Sequence, residues 1–216
     1  KIFVSLLPNI PESRFVLCSD IEAVSVKLFS NAYLAMRVCF FNELDSFCHN
    51  VNADTNSVIK GICLDDRIGD FYNKPSLGYA GHCFPKDVKQ LIHSAPHDSR
   101  TLLNAINQSN NHRAQSIIEL ALTYKPTTVG IYSDNPLNSR SFDISALRHI
   151  FEGLLKHSVS INLCNIKLNP ENLSVTNIKI VNIDLLVQNS DVIICDSKPS
   201  NSALLASNII YPSKLS

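Results

Sequence analysis

From Ser19 to Asn50 the chain contains neither glycine nor proline, and this uninterrupted run constrains the fold more than any other feature. Ser19-Asp-Ile-Glu22 has the form of a capping box, in which a serine hydroxyl and a glutamate three residues on satisfy each other's backbone N–H groups. Ala23, Val26, Ala32, Tyr33, Met36, Phe40, Leu44 and Phe47 then recur near helical spacing. The pattern predicts one long helix, apolar on more than one face, as suits a helix buried between subunits as well as within one.

The first half of the chain reads as mostly helical. Further helices are predicted over Ser57–Leu64, Pro85–Ser94 and Arg100–Leu122, with a Gly-, Pro- and Asn-rich loop from Asp65 to His82. Composition shifts at Tyr124-Lys-Pro-Thr-Thr128. After it come a strand at Val129–Tyr132, an amphipathic helix at Ser141–His157, a strand at Val159–Cys164, a short helix at Ile183–Gln188 and a buried-type strand at Asp191–Asp196. Alternating strands and helices imply a doubly wound parallel sheet, so the expected class is α/β, a helical domain followed by a Rossmann-like one. Ser133–Ser139, read as the loop after the first strand, has no glycine, and the dinucleotide fingerprint G-x-G-x-x-G is absent from the chain.

Nineteen basic and nineteen acidic residues cancel, leaving no electrostatic footprint for nucleic acid or an anionic membrane. The seven cysteines show no CxxC or regular spacing, which argues against a disulfide framework and a metal site and for a reducing, cytoplasmic compartment. No stretch reads as long and apolar enough to span a bilayer, and no signal-peptide pattern opens the chain. Ile2-Phe-Val-Ser-Leu-Leu7 reads as the end of an apolar element already under way, as in a chain lacking its N-terminal part.

Chemistry concentrates in Gly78-Tyr-Ala-Gly-His-Cys-Phe-Pro-Lys-Asp-Val-Lys-Gln-Leu91. Flexible glycines deliver Cys83 to the first turn of a helix that Pro85 helps to open. There the peptide dipoles, with Lys86 close by, suit a thiolate nucleophile. Cys18, Cys39, Cys48, Cys63, Cys164 and Cys195 lie in apolar or periodic stretches and read as core. Lys27 and Asn31, four apart on the long helix, project from one face. A cation beside an amide suits an oxyanion forming at a carbon attacked by Cys83; the plainer alternative is a solvated lysine and a locally bonded asparagine. The stretch Arg67–Gly78 offers polar groups for a ligand, or is an ordinary surface loop. His82 reads as a loop residue, and the local signature of a papain-like protease is missing.

Together these residues resemble the UDP-glucose/GDP-mannose dehydrogenase family. The resemblance is carried by Lys27–Arg37, Phe41-Asn-Glu-Leu-Asp45, Cys63–Gly69, Tyr72-Asn-Lys-Pro-Ser76 and Gly78–Leu91. It implies NAD-dependent oxidation of the C6 alcohol of UDP-glucose to a carboxylate, through a thiohemiacetal and a thioester on Cys83. It assigns Lys27 and Asn31 to the oxyanion and the catalytic water, with Asp87 assisting. Tyr72, Asn73, Lys74, Pro75, Ser76 and Ala80 match a substrate loop, and Arg67 matches an arginine that reaches the neighbouring subunit's substrate. Lys86 and Arg140 match positions that contact NAD. The implied organisation is a remnant of an NAD domain at 1–18, a central helical dimerisation domain at 19–123 and a UDP-binding domain at 124–216, in a homodimer formed through the long helix. Two departures stand out: Ala80 replaces a glycine, and the loop 133–139 is short and lacks a lysine. A related nucleotide-sugar dehydrogenase, or a chain that only dimerises or binds a UDP-sugar, are the alternatives.

Overall fold

The computed structural model describes residues 16–168, 177–204 and 208–212. The expected domain remnant at 1–18 lies almost wholly outside the described residues. Ser19 opens the first helix as its sequence demands: its Oγ accepts from the Glu22 N–H at 3.4 Å, and its own N–H donates to Glu22 Oε2 at 2.7 Å. That helix, α1, runs over Asp20–Asn50. It is followed by α2 (Thr55–Ile62), α3 (Phe84–Ser94) and α4 (Thr101–Thr123). Leu28, Ala32, Ala35 and Cys39 of α1 pack with Val88 and Leu91 of α3 and with Leu103 and Ile106 of α4. The other side of α1 leaves Val26, Phe29, Tyr33, Phe40 and Phe47 exposed.

The second half is a five-stranded parallel sheet. In chain order come β1 (Thr128–Leu137), α5 (Ser139–Asp143), α6 (Ala146–Leu154), β2 (Ser160–Ile166), β3 (Ile178–Ile180), α7 (Ile183–Asn189), β4 (Val192–Cys195) and β5 (Ile209–Ile210). The spatial order is β3-β2-β1-β4-β5, so the winding reverses between β1 and β4. Alternation sorts the side chains. Val129, Ile131, Ile161, Leu163, Val192 and Ile194 face α4, α5 and α6, while Tyr132, Cys164, Ile193 and Cys195 face α7 through Leu186. Helix α4 joins both halves, with Leu103 and Ile106 in the helical core and Ile117, Ile118 and Ala121 against the sheet.

Several expectations need correction. The amphipathic stretch from Ser141 is two helices, broken at Ile144–Ser145, where the Ser145 hydroxyl caps α6 by accepting from the Arg148 N–H. Residues 133–137, read as a loop, continue β1. Their register on β2 shifts between Tyr132 and Leu137, which accommodates Pro136, a residue with no N–H to give a ladder. Strands β3 and β5 are too short to show a period. Cys18 is exposed and Cys63 half-buried, so neither is core, whereas Cys39, Cys48, Cys164 and Cys195 are buried. Finally, α1 is by length and composition able to cross a membrane. Its buried Arg37 and Asp45, however, are bonded to the rest of the chain, which makes α1 a helix of a packed protein core.

Gly130 sits where β1 meets α7 and β4. A Cβ there would lie 2.9 Å from Ser190 Oγ, 3.0 Å from Ile193 Cγ1 and 3.1 Å from Leu186 Cδ1. Gly130→Val is expected to destabilise by about 1–3 kcal/mol through overpacking, read as a lower urea midpoint with unchanged slope.

Candidate functional site

Cys83 is the residue from which α3 starts. Its carbonyl accepts from the Asp87 N–H at 2.9 Å, closing the first turn, and its exposed thiol takes no part in capping. Gly81, two residues earlier, has φ +84 and donates its N–H to the Ile144 carbonyl at 2.6 Å, so the break between α5 and α6 tethers the thiol's loop to the sheet domain. Asn110 of α4 brackets Tyr79 by accepting from its N–H at 2.7 Å and donating to its carbonyl at 3.2 Å.

One turn along α3, on the thiol's face, lies Asp87 with 0% exposure. Lys27 Nζ donates to its two carboxylate oxygens at 2.9 and 3.1 Å, and Asn31 Nδ2 donates to Oδ2 at 2.6 Å. The plainer reading of Lys27 and Asn31 therefore fails, since both reach across to another helix. The Lys27 bond, with Asn31 and the nearby cations, holds the Asp87 carboxyl below the usual carboxylate range despite its burial. The Lys27 side chain is 56% exposed, so its ammonium stands at the rim of the cluster. Lys86 Nζ lies 3.9 Å from Asp87 and completes it. Burial pushes the thiol of Cys39 up to about 11 and raises Cys164 and Cys195 as well, leaving those sulfurs poor nucleophiles.

The other expected residues divide. The Tyr72 ring, on a backbone with φ +49, lies 6.2 Å from that of Phe84, the residue that follows Cys83 in sequence. Asn73 turns inward and donates to Asp70 Oδ1 at 2.5 Å and to Cys63 Sγ at 3.3 Å. Ser76 is tied down by Asn42, whose Oδ1 accepts from its N–H at 2.7 Å. Asn73, Lys74 and Pro75 line a cleft of about 380 Å³ whose far wall is Asp196, Ser197 and Lys198 beyond β4. Ala80 is half-buried and does not take a left-handed backbone; Gly81 does. The methyl group at position 80 is thus conformationally harmless. Arg67 is 89% exposed and paired with Asp65 of its own turn, and Arg140 is exposed on α5; neither joins the thiol cluster.

At the winding reversal the sheet presents two carboxylates. Asp196 accepts from the Ser133 hydroxyl and the Asp134 N–H, and Asp134 accepts from Ser200 N–H and Oγ at 3.0 and 2.8 Å. Among the described residues, no three of His, Cys, Asp and Glu gather as metal ligands. Sequence reasoning assigned no role to Arg37 and Arg113, the buried residues that bind the loop backbone. Arg37 is marked in the sequence only as a charge inside an apolar helical stretch, and Arg113, among polar neighbours, carries no such mark.

Lys27→Met is expected to cost about 1–2 kcal/mol at pH 7, less than breaking a wholly buried pair because Lys27 is half in water. Since the folded carboxyl titrates below its unfolded value near 3.8, the stability it confers is full above that value and is lost as pH falls through the folded pKa. Urea midpoints of wild type and variant should therefore converge in acid; a constant gap down to that pH would contradict the pairing.

The profile of the UDP-glucose/GDP-mannose dehydrogenase family, central domain, matches residues 21–112. UDP-glucose 6-dehydrogenase of Campylobacter jejuni is 41% identical over 184 residues, covering 81% of this chain and 47% of the relative. The Streptococcus pneumoniae enzyme of the same name is 42% identical over 134 residues, covering 62% of this chain and 34% of that protein. In fold, the chain resembles a UDP-glucose dehydrogenase from Pyrobaculum islandicum with a TM-score of 0.76 at 20% identity, over 92% of this chain and 48% of that one. The chain thus spans about half the length, or less, of the relatives it matches. With the helical core, the parallel sheet and the sequence likeness in agreement, the chain is a homologue of the UDP-glucose/GDP-mannose dehydrogenase family, and its residues 21–112 correspond to that family's central domain.

Proposed function

We propose that this chain is the central and C-terminal part of a cytoplasmic UDP-glucose 6-dehydrogenase, with 19–123 as the catalytic and dimerisation unit and 124–216 facing the nucleotide. The observation that carries the reading is an exposed thiol one helical turn from a buried carboxylate that collects Lys27 and Asn31. In this role the Cys83 sulfur adds to the C6 aldehyde, forming a C–S bond while the carbonyl oxygen becomes an oxyanion. The Lys27 ammonium, its position fixed by Asp87, offsets that charge, and the Asn31 amide supports the same edge. Once the carbon is at the thioester level, water adds to it, the C–S bond breaks, and Cys83 leaves as thiolate with a carboxylate product. Tyr72 and Lys74–Ser76 hold the nucleotide sugar, and Arg67 extends from the loop towards a second subunit.

NAD, when bound, would supply the hydride acceptor. A dinucleotide does not fit this chain's own sheet, because the β1–α5 turn has no glycine and the Asn138 side chain closes the N-terminus of α5 by accepting from the Ser141 N–H. Lys86 and Arg140 are the exposed cations this chain would turn towards such a group. One observation favours a second reading, a chain that dimerises without turning over sugar. The carboxylates Asp134 and Asp196 stand at the sheet's mouth, where a diphosphate calls for cations.

Three measurements test the proposal. Cys18 and Cys83 are both exposed, so accessibility alone predicts equal labelling by iodoacetamide at neutral pH. We expect Cys83 to react several-fold faster, to be protected by UDP-glucose, and UDP-glucose to give a calorimetric isotherm. Equal rates without protection reject the enzymatic reading. The exposed Val26, Phe29, Tyr33, Phe40 and Phe47 support a homodimer through α1. Sedimentation at micromolar concentration should give a dimer that Phe29→Glu splits, and a wild-type monomer refutes it.

A further inference from the structure

Between α2 and α3 the chain carries Tyr72–Ser76 and reaches Cys83 with no helix or strand of its own. Backbone groups in so long a connection need partners from elsewhere. Two buried guanidinium groups supply them. Arg37 of α1, 6% exposed, donates through Nη1 to the Ile68 carbonyl at 2.9 Å and through Nη2 to Gly69 at 3.3 Å. Its Nε and Nη2 both donate to the Phe71 carbonyl, at 3.1 and 2.6 Å. Arg113 of α4, 4% exposed, donates through Nε to the Ser76 carbonyl at 2.9 Å. The segment spanned by the two anchors is 72–75.

The two arginines differ in how their charge is met. Arg113 is paired with buried Asp45 at 2.7 Å. Arg37 makes no ion pair with a described residue; its cation is met by carbonyl oxygens and by the rings of Phe71 at 4.2 Å and Phe41 at 5.4 Å. Burying a cation on those terms is expensive, and a neutral amide suffices to pin a backbone, as Asn110 does at Tyr79. What the planar fork adds is direction. Three carbonyls converge on it because the chain reverses at Gly69, with φ +69, and Tyr72, with φ +49. The Phe71 ring lies 2.6 Å from where a Gly69 Cβ would stand, so the ring that covers Arg37 also fills the turn.

We propose that Arg37 is a positioning residue for the ligand loop: it fixes the 68–72 turn so that the Tyr72 ring stands beside that of Phe84, the residue that follows Cys83, before any ligand arrives. The ligand's identity rests on the reading above; the order of the loop does not. Arg37→Lys keeps the charge and loses the fork, and strands no buried carboxylate. Gly69→Ala disturbs the same turn from the surface side, leaving the helical core untouched should the lysine variant fold poorly. In both, hydrogen exchange of the 68–76 amides without ligand is expected to rise about tenfold, UDP-glucose affinity to fall about tenfold, and Cys83 alkylation to stay within about twofold. Unchanged loop exchange overturns the proposal. So does a rise in exchange shared by the amides of α1, α3 and α4 with a parallel change at Cys83, since that marks general loosening. If wild type binds no UDP-glucose, the functional reading fails, and the exchange of 68–76 still decides the role of Arg37.

Discussion

A carboxylate without exposed surface governs the arrangement of this molecule's chemistry. Asp87 would be costly to bury alone, and it is tolerated because Lys27 and Asn31, one turn apart on α1, both aim at it. The apolar contacts of α1 with α3 are non-directional and would survive small slides of one helix along the other. The three-residue polar contact would not, because a slide of one turn leaves the carboxylate unmatched. Cys83 begins the helix that carries Asp87, so fixing the register of α3 fixes the thiol too. The same pairing holds the half-exposed Lys27 ammonium at the rim of the cluster, against the helix that Cys83 begins.

What the sequence made legible follows from how local each cause is. The extent of α1 was readable because its cap and its freedom from glycine and proline are written within the segment. The neighbourhood of Cys83 was readable for the same reason. The pairing of Lys27 and Asn31 with Asp87 was not, since a separation of 56 to 60 residues is settled by tertiary packing, and spacing alone favoured a solvated lysine. The inward turn of Asn73 and the carbonyl-binding roles of Arg37 and Arg113 were hidden likewise. An arginine that serves backbone oxygens leaves no partner residue to recognise.

In the sheet the misreading of 133–137 has a local origin. Asn-Pro in Ser133–Ser139 is turn chemistry, yet the strand continues because its ladder to β2 slips just where proline has no N–H to offer. The extension has a chemical consequence. It carries Ser133 and Asp134 past the end of the paired region to meet Asp196 and Ser200, so the mouth of the sheet is closed by hydrogen bonds within the chain. Any ligand binding there displaces those bonds or accepts a negative wall. The cleft beside the loop, walled by Lys74 and Lys198 as well as Asp70 and Asp196, offers charges of both signs.

The two faces of α1 cannot vary independently. Its inward side supplies Lys27, Asn31 and Arg37, which orient the thiol's helix and the loop, while its outward side shows Val26, Phe29, Tyr33, Phe40 and Phe47 to solvent. Lys27 lies between Val26 and Leu28, so its backbone belongs to both surfaces at once. In the proposed dimer, burying the outward face would restrain the backbone from which the site's donors project. Association would then bring a partner close to the half-exposed Lys27 ammonium at the rim of the cluster. The apolar exposure of α1 and the half-exposure of Lys27 are in that sense one property, because both leave the outer surface of this helix unrestrained until a partner covers it.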